Sequence, residues 1–211
     1  MLLSRLLRLF FALLYNPLAW TYDFVSWAVS AGQWRRWQRA ALAYVRPGPV
    51  LEIAHGTGNL LLDLHLAGHA PMGLDLSATM GKIARKKLRA QALALPLICG
   101  RVQALPLASG AFASLVSTFP TEFIVDPRAV AEFHRVLAPG GVLVIVPAAI
   151  ITGPALPDRM ARWLFQVTEQ ASEAWFSPLD HLYRSAGFSV RVERVRQPRS
   201  VVTVIVAEKG A

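Results

Sequence analysis

Apolar and polar positions along the chain form two kinds of segment. Short runs of Val, Ile and Leu bounded by Gly, Pro or Asp predict buried strands, and stretches with an apolar residue every three or four positions predict amphipathic helices. The predicted strands lie near 50–54, 70–75, 95–99, 112–118, 141–147, 188–196 and 200–208, and the predicted helices near 57–68, 77–90, 126–137, 157–171 and 178–186. Because strands and helices alternate, we expect an α/β fold with an open, mostly parallel seven-stranded sheet and helices on both faces.

A glycine loop follows the first predicted strand. Glu52 lies in the strand, and Gly56 and Gly58 lie in the loop that leads into the helix. Without a Cβ, these glycines let the backbone approach a ligand, and the helix N-terminus offers free N–H groups. Asp75 ends the next predicted strand, where a carboxylate can accept hydrogen bonds from both hydroxyls of a ribose. This pattern predicts a site for a nucleotide-like ligand.

The loop lacks part of the dinucleotide signature G-x-G-x-x-G, since Gly58 is followed by Asn59-Leu60-Leu61. It resembles instead motif I of the class I S-adenosylmethionine-dependent methyltransferases, acidic-x-G-x-G-x-G. That motif is read here as Glu52-x-Ala54-x-Gly56-x-Gly58. Ala54 departs from it, and its Cβ is expected to crowd the loop slightly.

Three later segments are similar to successive blocks of the same family. They cover residues 95–107, 110–118 and 132–146. The last contains E-x-x-R-V-L-x-P-G-G before a buried strand and is similar to the branch that includes the ubiquinone/menaquinone C-methyltransferases. The resemblance covers roughly residues 45–150. It implies a Rossmann-like sheet and S-adenosyl-L-methionine as the cofactor.

The resemblance also implies which positions hold the cofactor. These are Glu52, Ala54, His55, Gly56, Thr57, Gly58, Asp75, Leu76, Arg101, Val102 and Thr118. Many relatives carry an aspartate that accepts the adenine amino group where this chain has Arg101, and an arginine cannot accept a hydrogen bond. We therefore expect backbone groups around Arg101 and Val102, together with apolar packing, to hold the adenine.

Methyl transfer requires little catalytic machinery from the protein. The methyl group on the sulfonium is already activated, so the enzyme must align the acceptor and exclude water. A general base helps if the acceptor is a hydroxyl or an acidic carbon. Glu122, just past the fourth strand, and Tyr22, in the N-terminal segment, are the candidates for that base. The alternative for Glu122 is a plain surface carboxylate.

Residues 1–46 differ in character from the predicted methyltransferase domain at 47–211. Residues 1–15 form an amphipathic pattern in which leucines and phenylalanines lie opposite Arg5 and Arg8. Their uninterrupted apolar run, 9–15, is shorter than the roughly 20 residues that cross a bilayer. Residues 1–46 are therefore predicted to form helices that act as a lid, a membrane contact or both.

Aromatic residues and arginines interleave further along this segment. They are Trp20, Tyr22, Phe24, Trp27, Trp34 and Trp37 with Arg35, Arg36 and Arg39. Residues 1–46 carry six arginines against Asp23, and thus +5 of the chain's net charge of +9. Such a composition suits an anionic membrane surface contacted through residues 1–39. We expect a cytoplasmic protein at the inner face of the membrane, although the helices could simply pack over the sheet.

Several other classes of site are disfavoured. Cys99 is the only cysteine and the five histidines lack ligand spacing, so no metal site is expected. The positive charge raises nucleic acid as a partner, but no recognised nucleic-acid-binding module is visible. We expect methyl transfer to a hydrophobic small molecule or lipid-like acceptor at the membrane surface. A phospholipid-headgroup N-methyltransferase, and a catalytically silent S-adenosylmethionine-binding or membrane-binding protein, suggested by Ala54 and Arg101, remain open.

Overall fold

The computed structural model describes residues 21–167 and 176–210. One seven-stranded sheet runs in the order β3-β2-β1-β4-β5-β7-β6. Its strands are β1 Pro49–Ile53, β2 Ala70–Asp75, β3 Leu97–Cys99, β4 Phe112–Thr118, β5 Leu137–Ile151, β6 Phe188–Gln197 and β7 Ser200–Lys209. β7 is antiparallel to both β5 and β6, and the other neighbouring pairs are parallel. The predicted fold class is confirmed, and β6 and β7 form an antiparallel hairpin at one edge of the sheet.

The described helices match the predicted ones within a few residues. They are α1 Tyr22–Val29, α2 Trp34–Arg39, α3 Asn59–Leu66, α4 Ala78–Arg89, α5 Pro127–Val136, α6 Leu156–Val167 and α7 Phe176–Ser185, with short 3-10 helices at Ala40–Tyr44 and Glu122–Val125. Local chemistry sets their starts: the Ser77 hydroxyl accepts from the Met80 N–H, and the Asp126 carboxylate accepts from the Arg128 N–H. The amphipathic helix predicted for residues 1–15 lies outside the described residues.

Helices cover both faces of the sheet. On one face, Phe133 of α5 and Tyr183 of α7 pack against strand residues such as Leu115. On the other, Trp37 of α2 and Leu60 of α3 form a second apolar layer. Because both faces are covered, the central strands are apolar throughout rather than alternating, as the sequence pattern indicates.

Strand β5 is longer than the predicted strand 141–147. Its last residues pair with β7, with Ala148 opposite Thr203 and Ile151 opposite Ser200. The backbone hydrogen bonds of β7 therefore extend β5 toward its carboxyl end, and α6 begins only five residues after the strand.

Residues 21–46 are built into the domain. Trp37 is fully buried, and its Nε1–H donates to the Ser200 hydroxyl over 2.8 Å. Trp34 is 9% exposed and stacks on Phe119, with ring centroids 4.0 Å apart. For these two tryptophans the structure bears out the alternative that the N-terminal helices pack over the sheet, because both side chains complete the core on one face.

The arginines of α2 also have an internal role. Arg35 donates to both carboxylate oxygens of Asp63, at 3.0 and 2.8 Å, and the Arg39 Nε lies 3.3 Å from the same carboxylate. The Asp63 side chain is fully buried, while both arginines stay about half exposed. This clamp fixes α2 on α3 and uses charge that the sequence assigned to the membrane. In the part of the chain that the structure describes, no helix is long and apolar enough to cross a bilayer.

Candidate functional site

The candidate site lies at the carboxyl ends of β1, β2, β3 and β4. The strand order departs in opposite directions from the β1–β4 pair, and such a switch point is where open α/β sheets bind ligands. The loop of residues 54–58 runs from β1 to α3 at this edge. Its first residue, Ala54, donates its backbone N–H to the Leu74 carbonyl over 2.7 Å, which holds the loop beside the end of β2.

Asp75 links the glycine loop to the turn after β2. One carboxylate oxygen accepts from the Gly56 N–H and the other from the Ser77 N–H, each over 2.8 Å. A Cβ built at Gly56 meets no atom within 4 Å, so open space lies in front of the loop. A Cβ at Gly58 would lie 2.9 Å from the Ala84 Cβ, so this glycine allows close packing of α4. The two glycines therefore have different roles.

Glu52 supplies a second carboxylate at the end of β1. It is 1% exposed and accepts from the Leu61 N–H at the start of α3, whose own cap position is a glycine. Its other oxygen, Oε2, has no hydrogen-bond partner among the described residues. Burial raises the pKa of the Glu52 carboxyl well above its ordinary value, and the carboxylates of Asp75 and Asp63 raise it further. Two neighbouring carboxylates, one with an unpartnered oxygen, suit a positively charged ligand.

Replacing Glu52 with glutamine is expected to stabilise the free protein at neutral pH. The pKa of Glu52 in the folded protein lies above its unfolded value near 4.5. Glu52 therefore does not lower the free energy of unfolding below about pH 4.5, and its destabilising effect grows as pH rises through the folded-state pKa. Urea unfolding of Glu52→Gln and the unaltered protein should differ at about pH 8 and converge at about pH 4. The variant should also bind S-adenosylmethionine more weakly. Equal stability at both pH values would contradict this account of Glu52.

Ala54 adopts a left-handed backbone conformation, with φ of +56°. This is the position at which the methyltransferase motif has a glycine, and an L-residue there costs about 1–2 kcal/mol in backbone strain. Ala54→Gly is expected to stabilise the protein by about 0.5–1 kcal/mol, because the greater freedom of glycine in the unfolded chain offsets part of the gain. Ala92→Gly, at the same φ but after α4, is the matched control. Both variants should gain stability in urea unfolding, and a loss in Ala54→Gly would refute the strain argument.

His55 lies behind the loop. Its side chain is buried, and Nδ1 lies 2.9 Å from the Gly56 carbonyl, to which it must donate because a carbonyl only accepts. Burial lowers the pKa of the imidazole and favours its neutral form. A Cβ at Gly73 would come within 2.7 Å of the His55 ring. The ring thus packs into the space that Gly73 leaves and supports the loop from beneath.

Thr57 connects the loop to α1 through a polar cluster that the sequence did not reveal. Its hydroxyl donates to Asp23 over 2.6 Å, and the Asn59 amide donates to the same oxygen over 3.0 Å. The Lys87 ammonium contacts Asp23 at 2.7 Å and Asn59 at 2.6 Å. Hydrogen bonds from Lys87, Thr57 and Asn59 lower the pKa of Asp23 against the effect of burial. The only signal in the sequence was that Asp23 is the sole acid of residues 1–46.

The end of β4 is covered by aromatic and polar side chains of the N-terminal helices. The Thr118 hydroxyl accepts from the Gln38 amide over 3.1 Å. Tyr22 packs edge-on against Trp34, with centroids 6.4 Å apart, and Trp34 stacks on Phe119. This arrangement brings the candidate base Tyr22 to the same edge of the sheet as the glycine loop.

The remaining candidate residues differ in exposure. Leu76, next to Asp75, is 63% exposed, and Arg101 is exposed after β3. Val102 is buried in the core. Glu122 begins the 3-10 helix after β4 and is exposed. No described group of three His, Cys, Asp or Glu side chains could hold a metal ion.

Comparisons with known proteins agree with the family resemblance of the sequence. A family model described as a methyltransferase domain matches residues 50–141. The chain is similar to the ubiquinone/menaquinone biosynthesis C-methyltransferase of Roseobacter denitrificans, with 30% identity over 169 residues, 76% of this chain and 67% of that protein. It is 34% identical to the demethylmenaquinone methyltransferase of Thermus thermophilus, over 63% of each chain. The match to the demethylmenaquinone methyltransferase of Symbiobacterium thermophilum, at 32% identity, covers 58% of that protein, so the chain spans less than two thirds of the length of this relative and of the Thermus one.

A solved structure supports the same fold. An S-adenosyl-L-methionine-dependent methyltransferase structure from Methanococcus maripaludis superposes with a TM-score of 0.69, covering 92% of both chains at 18% identity. The residues at the carboxyl edge also suit this cofactor. Asp75 can accept from ribose hydroxyls, the free Glu52 oxygen suits a positive charge, and the open space at Gly56 admits a ligand against the backbone.

Proposed function

Because the chain belongs to the class I S-adenosylmethionine-dependent methyltransferases, in the ubiquinone and menaquinone branch, we propose that it methylates a hydrophobic, quinone-type small molecule. The observation that carries the proposal is a hydrogen bond: the Gly56 N–H donates to the Asp75 carboxylate, with 2.8 Å between nitrogen and oxygen. Open space lies in front of this glycine. This arrangement supports the proposal because a carboxylate that can accept from ribose hydroxyls then lies beside a loop that a cofactor can approach closely.

The cofactor, when bound, supplies an activated methyl group on a positively charged sulfur. We propose that Asp75 accepts hydrogen bonds from the ribose hydroxyls of the cofactor. The loop residues Gly56, Thr57 and Gly58 would surround its amino-acid end. Glu52 would interact with the positive charge of the cofactor. Leu76, 63% exposed beside Asp75, provides an apolar surface for the adenine. Arg101 cannot accept from the adenine amino group, so that contact falls to backbone carbonyls near Val102.

A carbon acceptor loses a proton as the new C–C bond forms, and a nearby base would receive it. We propose Glu122 and Tyr22 for this role, because both lie at elements that border the carboxyl edge of β4. Glu122→Gln and Tyr22→Phe should be compared for kcat and for cofactor affinity. Substitution of the residue that acts as base should lower kcat and leave cofactor affinity unchanged. If neither variant changes kcat, neither Glu122 nor Tyr22 acts as the base.

We further propose that the enzyme works at the cytoplasmic face of an anionic membrane. Quinone-type acceptors are apolar, and residues 1–15 combine a leucine and phenylalanine face with Arg5 and Arg8. Removal of residues 1–15 should reduce flotation with anionic vesicles and leave cofactor affinity unchanged. A full-length protein that stays unbound to such vesicles at low salt would refute the membrane proposal.

Product analysis separates the candidate functions. The purified protein would be incubated with methyl-labelled S-adenosylmethionine and a lipid extract, and the labelled products identified by mass spectrometry. We expect label on a quinone-type molecule. Label on a phospholipid headgroup would favour the N-methyltransferase alternative. Cofactor binding without any labelled product would favour the catalytically silent alternative.

A further inference from the structure

Two neighbouring helices carry exposed, large apolar side chains. On α1, Phe24 is 69% and Trp27 60% exposed, and their rings stack with centroids 6.2 Å apart. On α6, Leu156 is 68% and Met160 65% exposed. The two helices pack against each other. We name these four side chains the lid face.

The lid face lies on the solvent side of both helices. The inward side of α1 carries the buried Ser26, and that of α6 carries the buried Asp158 and Ala161. At 100° per residue, Leu156 and Met160 project from the side of α6 opposite Asp158. The helix α6 starts just past the carboxyl end of β5, and α1 contacts the glycine loop through Asp23. An apolar surface therefore borders the proposed site.

We propose that the lid face docks on an anionic lipid bilayer, so that the acceptor can reach the site from the lipid. This deepens the proposed function and rests on it for the nature of the acceptor. Exposed aromatic rings next to cations are typical of side chains at the headgroup level. An exposed patch of large apolar residues on a soluble domain also marks an interaction surface.

The charges around the lid face favour an anionic partner. Arg159 is exposed between Leu156 and Met160 along α6. The acids of the described α1 and α6 are neutralised, because Asp23 pairs with Lys87 at 2.7 Å and Asp158 with Arg199 at 3.1 Å. The helix α4, whose Lys87 meets α1, carries four more exposed cations on its other side, Lys82, Arg85, Lys86 and Arg89, so the basic character extends beyond the lid face itself.

The position of the lid face in the chain also favours a bilayer. Residues 1–15, whose sequence predicts an amphipathic helix with leucines, phenylalanines and two arginines, precede α1 in the chain. A bilayer contacted by that segment would be within reach of α1, which begins at Tyr22. The folded helices and the N-terminal segment would then contact the same surface, which raises the affinity of each for it.

Flotation of the full-length protein tests the proposal. The vesicles contain phosphatidylglycerol and phosphatidylcholine, and neither cofactor nor acceptor is added. The double variant Phe24→Glu, Met160→Glu is compared with a matched control, Leu66→Glu, Val192→Glu, whose positions are 68% and 51% exposed on other elements. We expect the lid-face variant to lose about tenfold in vesicle partitioning and the control to float like the unaltered protein. Equal flotation of the two double variants would overturn the proposal.

A second measurement does not depend on charged substitutions. Brominated lipids quench tryptophans that enter the bilayer, so the unaltered protein should be quenched more strongly than Trp27→Phe. Identical quenching of the two proteins would overturn the proposal. The proposal would also be overturned if the lid face contacts a second copy of the chain instead: the lid-face variant would then turn a dimer into a monomer and still bind vesicles.

The docking and the proposed function fail independently. If flotation with vesicles depends on the lid face but no methylated product forms, the docking proposal stands and the proposed function is wrong. A protein that methylates a detergent-solubilised quinone but does not bind vesicles retains the function and loses the docking.

Discussion

Replacing Asp75 with alanine is expected to weaken S-adenosylmethionine binding by about 1–3 kcal/mol, or about five- to 150-fold. Two effects act in the same direction. The variant loses a carboxylate that can accept from the ribose hydroxyls, and it frees the N–H groups of Gly56 and Ser77, which Asp75 holds at 2.8 Å. Isothermal titration calorimetry measures the change directly.

Asp180→Ala is the control for this experiment. Asp180 is a half-exposed aspartate on α7 whose carboxylate pairs with Arg184, so its loss changes the net charge equally without touching the carboxyl edge of the sheet. Its cofactor affinity should match that of the unaltered protein, and circular dichroism should show both variants folded. An Asp75→Ala variant that binds as tightly as the control would remove Asp75 from the cofactor site.

Replacing Trp37 with alanine is expected to destabilise the protein by about 3–5 kcal/mol. The indole is fully buried, packs with Trp34 and Phe119, and donates to the Ser200 hydroxyl on β7. The substitution removes a large apolar side chain and leaves the buried hydroxyl without this donor. Urea or thermal unfolding followed by circular dichroism gives the free energy of unfolding.

Trp27→Ala provides the comparison, because Trp27 is 60% exposed on α1. It should cost well under half as much stability as Trp37→Ala, since less apolar area leaves the protein interior. If both substitutions cost the same small amount, residues 21–46 would not be part of the folded core.

The pattern of hydrophobic positions predicted the sheet well because its signal is local. Runs such as Val142–Val146 are buried on both faces, and Pro139-Gly140-Gly141 separates α5 from the central part of β5. The extension of β5 to Ile151 could not be predicted in this way. It depends on pairing with β7, about fifty residues later in the chain.

The glycine loop and Asp75 were also evident from the sequence, because a motif with fixed spacing specifies them. The contacts of the N-terminal segment were not. Trp34, Trp37, Arg35 and Arg39 have the composition of a membrane-facing segment, but a buried tryptophan and an interfacial one look alike in a sequence. Only the position of Asp63 on α3 and of Ser200 on β7 shows that these side chains face the domain.

The most direct test of the central claim uses one defined acceptor and a carbon-labelled methyl group. The full-length protein would be incubated with S-adenosylmethionine carrying ¹³C in the transferred methyl and with a demethylated menaquinone precursor kept in its reduced, hydroquinone form, whose ring carbon is nucleophilic, and the product examined by NMR. We predict a new ¹³C resonance in the range of a methyl group on a quinone ring carbon, absent when the cofactor or the protein is omitted. A protein that binds the cofactor but yields only N-methyl or O-methyl resonances, or none, would contradict the proposal.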